Sequence, residues 1–106
     1  MTREGVPLMR RLTPAELDDE LALLPGWTRS PEGQGGIEYW HTAPDFAGAM
    51  GFVGDVAAVA EAANHHPDLD IRYNRVRVFL TTHDAGGVTD RDIALARGIM
   101  HLLTDE

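Results

Sequence analysis

The chain has 106 residues, of which 43% are hydrophobic and 25% are charged, and it contains no cysteine. These proportions are typical of a globular domain, and the missing thiols exclude disulfides and thiolate metal sites. The formal net charge is −8 at pH 7, which disfavours nucleic acid and anionic membranes as direct partners.

A single domain over residues 1–106 is expected, with residues 1–11 flexible. The first twelve residues carry charges but no apolar core, so they do not form a secretory signal. No apolar run approaches the roughly eighteen residues that span a membrane. We therefore expect a soluble cytoplasmic protein.

The first helix is predicted from the stretch LTPAEL, which carries three start signals. Thr13 can cap the helix, Pro14 suits its first turn and Glu16 completes a capping box. The helix should end near Leu24, because Pro25 disfavours helical geometry in the residue before it.

Four segments are predicted to be strands that pair as two hairpins. Trp27–Ser30 and Ile37–His41 are separated by the polar, glycine-rich stretch SPEGQGG. Asp70–Tyr73 and Asn74–Thr82 form the second pair. Every other side chain of the latter strand is apolar, which indicates a half-buried strand.

A longer helix is predicted from Asp45 to Asn64, and it carries two apolar stripes at helical spacing. A helix on the surface of a monomer needs only one such stripe. Either the second stripe contacts another subunit or the helix is buried at the centre of the monomer, and periodicity alone favours neither. The first stripe consists of Phe46, Met50, Val53, Ala57 and Ala60, and the second of Phe52, Val56, Val59 and Ala63.

The last helix is predicted to begin at VTDRDI, with Thr89 as its cap and Asp92 as the carboxylate of a second capping box. The element order is therefore α-β-β-α-β-β-α. Strands in hairpin pairs predict an α+β fold, here a four-stranded antiparallel sheet with three helices packed on one face. The predicted core face of the last helix consists of Ile93, Ala96, Met100 and Leu103.

Two adjacent histidines follow the long helix in the stretch EAANHHP, and a third lies in TTHDAGG. His65, His66 and His83 lie at the ends of predicted elements, as does Asp92, and binding groups commonly collect at such ends. A helix C-terminus favours a protonated imidazole, which suits a general acid. A nearby carboxylate can orient a second imidazole as a base, so these residues form a candidate acid–base site.

Simpler roles are open for the same residues. A histidine in the last turn of a helix often serves only as a cap, and His83 could satisfy backbone carbonyls before its glycine-rich loop. Asp92 is already explained as a helix N-terminal carboxylate. Three imidazoles are also a known zinc set. Adjacent side chains diverge, however, so His65 and His66 do not suit one ion, and no metal is expected.

The stretch EAANHHPDLDIRYNRVRVFLTTHDAGGVTDRDIALA resembles the pterin-4a-carbinolamine dehydratases. The family pattern is an acidic residue, His-His-Pro, Tyr-Asn in the next strand, Thr-His before a glycine-containing loop, and Arg-Asp at the start of the last helix. The resemblance covers nearly the whole chain, from Leu12 to Leu103. The matching positions are Glu61, His65-His66-Pro67, Tyr73-Asn74, Thr82-His83, Gly86-Gly87 and Arg91-Asp92.

The resemblance implies a reaction, the removal of water from 4a-hydroxytetrahydropterin to give quinonoid dihydropterin. This step recycles the cofactor of aromatic amino-acid hydroxylases, and it implies neither a metal nor an organic cofactor. By the same resemblance, His65, His66 and His83 are catalytic residues of the pocket, and we favour His66 and His83 for the proton transfers. Substrate binding is expected of Asn64, Thr81, Thr82, Asp84, Arg91 and Asp92, with Glu61 in support.

The family also implies an assembly, a homodimer or homotetramer formed through the long helix and the sheet edge. Some members act as protein partners, so a non-catalytic binding or assembly module on the same scaffold is the alternative function. A pure scaffold need not keep the three histidines, which are all present here. One departure is Leu69, where animal members carry an aromatic residue with more stacking area.

Overall fold

The computed structural model describes residues 10–31 and 33–104 of the chain. Within them the elements follow the predicted order, with one short 3-10 turn after the last strand. The predicted flexibility of residues 1–11 concerns mostly residues 1–9, which lie outside the described residues. The helices are α1 (Pro14–Leu21), α2 (Phe46–Ala63) and α3 (Asp90–Thr104), the strands are β1 (Thr28–Arg29), β2 (Ile37–Thr42), β3 (Asp68–Arg72) and β4 (Arg75–Leu80), and the 3-10 turn is His83–Ala85.

The four strands form one antiparallel sheet in the order β1-β2-β4-β3. Strands β2 and β4, which come from different hairpins, lie side by side at its centre, with Ile37 opposite Leu80 and Thr42 opposite Arg75. The helices pack on one face of this sheet around a single hydrophobic core. The predicted α+β fold is confirmed.

Strand β4 carries the predicted alternation of inward and outward side chains. Val76, Val78 and Leu80 are fully buried beneath the helices. On the opposite face, the Arg77 guanidinium lies 5.0 Å above the ring of Phe79. Because this cation covers the ring, Phe79 is buried as well, although it points away from the helices.

The face of the sheet without helices is covered by charged side chains that pair with one another. Arg77 donates hydrogen bonds to Glu38 at 2.5 Å and to Asp70 at 3.3 Å, which lie on the two neighbouring strands. Arg75 lies 4.5 Å above the ring of Trp40. These pairs keep the aromatic surface of this face partly covered.

Helix α1 begins with the predicted capping box. The Glu16 N–H donates to the Thr13 hydroxyl at 3.1 Å, and the Thr13 N–H donates to the Glu16 carboxylate at 2.8 Å. The Arg10 guanidinium binds the same carboxylate, and with the Thr13 N–H it lowers the pKa of Glu16 to about 2. The helix ends at Leu21, three residues before the predicted end at Leu24.

Helix α2 is capped at both ends and buries one face against the sheet and α3. Asp45 accepts a hydrogen bond from the Gly48 N–H at 2.8 Å, and Asn64 ends the helix in the left-handed conformation. Both ends therefore lie where the sequence predicts them. The buried side chains are Ala49, Phe52, Val56 and Ala60.

The two apolar stripes of α2 are reversed relative to the prediction. Phe52 and Val56, which were expected to contact another subunit, pack inside the protomer, whereas Phe46 and Met50 of the first stripe are exposed. The alternative of a central, buried helix is also wrong, because only 22% of α2 is buried. Side-chain volume does not distinguish the two stripes, and the orientation of α2 is set by its packing against the sheet and α3.

Helix α2 also contradicts the expectation that no apolar run is long enough to span a membrane. By length and composition it is the one helix among residues 10–31 and 33–104 that could cross a membrane, with a mean hydropathy of 1.4 over 18 residues. Interrupting charges at Asp55 and Glu61 make this run easy to miss in the sequence. Core helices of globular proteins and signal sequences pass the same test, so length and composition alone do not establish a membrane span.

Helix α3 buries a face that is rotated from the predicted one. Ile93 and Ala96 are fully buried as expected, but Met100 is only half-buried. Leu95 and Ile99 take the remaining core positions. Helix α3 packs chiefly against α2, and its buried side chains extend to positions beside the predicted stripe.

His41 gives the fold a predictable pH dependence. Its ring stacks on Phe52 with 4.1 Å between ring centroids, and burial lowers the pKa of His41 below its usual 6.5. The unfolded chain therefore takes up a proton at this ring at a higher pH than the folded chain does. The stability linked to His41 is fully present above about pH 6.5 and is lost as the pH falls below that value.

We expect the free energy of unfolding of the unmodified chain to fall more between about pH 8 and pH 5 than that of His41→Phe or His41→Asn. Urea denaturation at several pH values measures this difference. The two variants differ in packing, so they differ in stability at pH 8, but they share the weaker pH dependence because neither side chain titrates. The same pH dependence in all three proteins would contradict the prediction.

Candidate active site

The predicted site residues lie where three segments meet: the end of α2, the loop after β4 and the first turn of α3. Asn64 ends α2 with φ 51° and ψ 41°, a left-handed conformation that asparagine tolerates better than most residues. The chain reverses there, and the His65 N–H bonds back to the Ala60 carbonyl at 3.2 Å. The two histidines thereby leave the helix axis and precede β3.

His65 is held by a carboxylate from the last helix. Its Nε2 lies 2.5 Å from Asp92 Oδ1, and the two side chains are 10% and 0% exposed. A pair this deeply buried is screened little by solvent, and it fixes the orientation of the ring. The contact joins the end of α2 to the start of α3 across 27 positions of sequence.

Asp92 is surrounded by donors that satisfy its second oxygen. Oδ2 accepts hydrogen bonds from the Thr82 hydroxyl at 2.8 Å and from the Thr89 N–H at 2.9 Å. The Thr82 and Thr89 hydroxyls lie 2.8 Å apart. Because a buried carboxylate is costly without such partners, these contacts explain how the charge is tolerated.

His66 is also paired with a carboxylate, but in solvent. Its Nε2 lies 2.5 Å from Glu61 Oε2, and the side chains are 55% and 76% exposed. Exposed pairs contribute little to stability. This contact therefore orients His66 less firmly than Asp92 orients His65.

His83 begins the 3-10 turn, directly after Thr82. Thr82 pairs with Gly87 across the loop, so that residues 83–86 form a closed turn. His83 and the neighbouring Asp84 are exposed, and within the described residues their side chains make no hydrogen bond. Both are therefore free to contact a ligand.

The loop that carries His83 is held from outside by the segment before α1. The Leu12 N–H bonds to the Val88 carbonyl at 2.8 Å, and the Arg11 guanidinium donates to the Gly86 carbonyl at 3.3 Å. Arg11 lies so close over Gly87 that a Cβ there would be 2.5 Å from Arg11 Cδ. A larger residue at this position would require the Arg11 side chain to move away from the loop.

Arg91 connects the two sides of the site. Its guanidinium donates to the backbone carbonyl of Asn64, and its own N–H donates to the Thr89 hydroxyl at 3.2 Å. The predicted substrate-binding residues Asn64 and Arg91 are thus in contact. In this structure they hold the ends of α2 and α3 together.

The structure brings together some predicted site residues and separates others. His65, Asp92 and Thr82 form one buried cluster, and Glu61 with His66 forms a separate exposed pair. The side chain of Thr81 points elsewhere, with its hydroxyl bonded to the Gly35 carbonyl at 2.8 Å. Thr81 was expected to hold the pterin through its backbone, and the hydrogen bond of its side chain does not affect that expectation.

Sequence reasoning assigned Thr89 only a capping role. The structure places its hydroxyl in the buried cluster, 2.8 Å from that of Thr82. The signal available in the sequence was a threonine, Thr89, in the loop before the predicted site residue Asp92. Its partner Thr82 lies across the loop and is identified only in the folded structure.

Among residues 10–31 and 33–104, no group of three or more histidine or acidic side chains is arranged to hold a metal ion. A groove of about 370 Å³ lies elsewhere, between the β1–β2 loop, Arg11 and the glycines of the β4–α3 loop. None of the predicted site residues lines this groove. Instead, His65 lies in a buried cluster, and His66 and His83 are exposed.

Comparison with known proteins supports the resemblance seen in the sequence. A family model described as pterin 4 alpha carbinolamine dehydratase matches residues 10–102. A relative from Acidobacterium capsulatum is 51% identical over 96 residues, which cover 90% of this chain and 100% of that protein. One from Chloroflexus aggregans is 52% identical over 95 residues, covering 90% and 99%. Both are named as pterin-4-alpha-carbinolamine dehydratase.

A solved structure is similar as well. The crystal structure of a transcriptional coactivator/pterin dehydratase from Brucella melitensis superposes with a TM-score of 0.82. The two sequences are 39% identical, and the match covers 88% of this chain and 98% of the other. The relatives found by sequence and the structure found by fold are thus all named as pterin dehydratases.

The left-handed residue that turns the chain into the site is open to test. We expect Asn64→Ala to lower the free energy of unfolding by about 1 kcal/mol, because a Cβ without a polar side chain disfavours this conformation. Asn64→Gly is the matched control and should leave stability equal or slightly higher. Urea denaturation measures both. A loss for the glycine variant as large as for the alanine variant would show that the backbone conformation is not the cause.

Proposed function

The chain belongs to the pterin-4a-carbinolamine dehydratase family and is a hydro-lyase of that class, and we propose that its histidines carry out the dehydration by acid–base catalysis. The proposed substrate is 4a-hydroxytetrahydropterin, and the products are quinonoid dihydropterin and water. The proposal includes a role in tetrahydropterin recycling in the cytoplasm, with no metal or organic cofactor in the reaction.

The proposed reaction moves two protons. A base removes the proton from the ring nitrogen beside the 4a carbon, and the electron pair of that N–H bond becomes the new C=N bond. The C–O bond to the 4a-hydroxyl breaks, and an acid gives the departing oxygen the proton that makes it water. Positioned imidazoles suit both steps near neutral pH.

One observation carries the proposal beyond family membership. His65 is fixed by the buried Asp92, and the same carboxylate is bonded to Thr82, the residue before His83. The His65 imidazole is thereby attached to a rigid cluster, and the backbone that carries His83 adjoins the same cluster through Thr82. Rigid placement is what proton transfer to and from a bound ring requires.

The remaining histidine has the exposure of a group that meets the substrate directly. His66 is half-exposed and paired with Glu61, so a bound ring can contact it without displacing buried structure. Arg91 and Asn64 support the rim of the site through their mutual hydrogen bond. Asp84, exposed beside His83, is a further candidate for contacting the pterin.

We further propose a homodimer or homotetramer formed through the outward face of α2 and the adjoining hairpin. Of the large hydrophobic side chains exposed among the described residues, four lie on these two elements: Phe46, Met50, Ile71 and Tyr73. The rings of Phe46 and Tyr73 stack with 6.5 Å between centroids. Tyr73 also keeps a left-handed φ of 56°, an unfavourable conformation for tyrosine. Apolar surface of this kind supports a contact with a second copy.

A binding or assembly role on the same scaffold is the second candidate function. The observation that favours it is the coactivator description of the Brucella structure, which is 39% identical to this chain. Such a role predicts a stoichiometric protein partner that remains bound when His66→Ala and His83→Ala are introduced. Dehydratase activity that survives both substitutions would favour this role over catalysis by the histidines.

Catalysis by the three histidines predicts a large and selective loss of activity. His65→Ala, His66→Ala and His83→Ala should each lower kcat/KM by about 100-fold or more, because each removes an acid–base group or its partner in proton transfer. Stopped-flow absorbance with freshly made 4a-hydroxytetrahydropterin measures the rate. His101→Ala, at an exposed histidine of α3, is the control and should keep full activity. Equal rates with and without the folded unmodified protein would end the proposal.

Assembly through α2 predicts that a bulky charge on its outward face gives monomers. Gly54 is the chosen site, because a Cβ there meets nothing within 4 Å in the protomer. Gly54→Arg also improves helix propensity, so the protomer should stay folded. Light scattering should give two or four times 11.6 kDa for the unmodified chain and 11.6 kDa for this variant.

Ala94→Arg adds the same side chain to an exposed position of α3 and is the matched control. Its mass should equal that of the unmodified chain. A monomeric unmodified chain, or a Gly54→Arg variant that keeps the full assembly, would contradict the proposed interface.

A further inference from the structure

The described residues contain three buried polar side chains, and all three belong to one network. Thr82, Thr89 and Asp92 are 4%, 2% and 0% exposed. Their hydrogen bonds lead to His65, whose ring lies at the edge of the cluster and is 10% exposed. A buried polar network is costly unless it is fully satisfied, so its arrangement can be followed donor by donor.

The two hydroxyl groups have a single possible direction. The Thr82 hydroxyl lies 2.8 Å from Asp92 Oδ2, an ionised oxygen that can only accept, so Thr82 donates its one hydrogen there. The Thr89 hydroxyl, 2.8 Å away, must then donate to Thr82. The Thr89 oxygen in turn accepts the Arg91 N–H at 3.2 Å. Hydrogens therefore point in one direction, from the backbone of α3 to the carboxylate.

Asp92 is consequently an acceptor on both oxygens. Oδ2 takes the Thr82 hydroxyl and the Thr89 N–H, and Oδ1 faces His65 Nε2 at 2.5 Å. Since the carboxylate has no hydrogen to give, His65 must supply the hydrogen from Nε2. A neutral imidazole carries one N–H, so its Nδ1 is then the nitrogen with the free lone pair.

We propose that Thr82 and Thr89 are positioning residues that hold His65 in the Nε2–H tautomer through Asp92, so that His65 accepts a proton at Nδ1. This inference rests on the proposed dehydration for its catalytic meaning. It revises the initial preference for His66 and His83, since it makes His65 the base that takes the proton from the pterin ring nitrogen.

The exposed pair of Glu61 and His66 shows what the threonines add. It has the same carboxylate-to-Nε2 contact, but within the described residues no hydroxyl chain stands behind Glu61. Solvent can supply or remove hydrogens on both sides of that pair. Because Glu61 is exposed and not held by such donors, its carboxylate can turn away from the ring and leave His66 to act as the proton donor, whereas the held carboxylate of Asp92 keeps His65 in one form.

The first test reads the tautomer without substrate. Nitrogen NMR of the imidazole rings, assigned through His65→Gln, should show the unmodified chain with hydrogen on Nε2 of His65. Thr82→Val and Thr89→Val keep the side-chain shape but remove a hydroxyl that helps to hold the Asp92 carboxylate in place. The carboxylate should then turn away from the ring in part of the molecules, which should give a mixture of tautomers. Asp92→Asn is the positive control. The asparagine amide can donate a hydrogen bond to Nε2 of His65, so the ring hydrogen should move to Nδ1, and the spectra should detect this change.

The second test separates positioning from structural support. Thr82→Val and Thr89→Val should lower kcat by about tenfold with KM changed less than about twofold, because the ring is misdirected while the binding surface is kept. Thr82→Ser and Thr89→Ser restore the hydroxyl but lose a buried methyl group. They should recover both the tautomer and kcat even if they unfold more easily.

Three outcomes would overturn the inference. One is hydrogen on Nδ1 of His65 in the unmodified chain. Another is an unchanged tautomer and kcat in both valine variants. The third is serine variants as impaired as the valine variants, which would reduce the threonines to packing residues. A chain with the expected tautomer but no dehydratase activity would overturn the proposed function and the catalytic role, while the hydrogen-bond assignment would be supported.

Discussion

The hydrogen bond between His65 and Asp92 is the contact on which the arrangement of the site depends. A fully buried carboxylate is tolerated only when its oxygens are occupied, and here the donors come from three different segments of the chain. The end of α2, the loop after β4 and the start of α3 must all be in place to provide them. The same contact thereby joins the end of α2 to the start of α3 and orients the His65 imidazole.

This dual use explains why Asp92 could be read in the sequence as a simple helix-capping residue. Its Oδ2 does accept the Thr89 N–H, which is half of the predicted capping box. The other half is replaced, since the Thr89 hydroxyl accepts from Arg91. The other oxygen of Asp92, Oδ1, faces His65. One carboxylate thus serves a local motif and a long-range contact, which is common where structure and chemistry share a residue.

Local signals in the sequence predicted the elements well, and tertiary packing decided what they missed. The capping box of Thr13 and Glu16 and the boundaries of α2 at Asp45 and Asn64 follow from neighbouring residues, so the sequence contained them. The inward face of α2 did not follow, because phenylalanine, valine and alanine occur in both stripes and only contact with the sheet distinguishes them. The Thr82–Thr89 contact was hidden for a similar reason, since it forms across a loop whose closure no local pattern specifies.

Glu61 has a position on α2 whose consequence reaches beyond the single protomer. It is 76% exposed in the protomer and lies two helical turns beyond Gly54, on the face proposed to meet a second copy. A neighbouring helix on that face would exclude water from the carboxylate and so strengthen its attraction to His66. Dilution, by separating the protomers, would then weaken the hold on one histidine while leaving its buried neighbour unaffected. The catalytic activity of each chain would accordingly depend on the concentration of the protein.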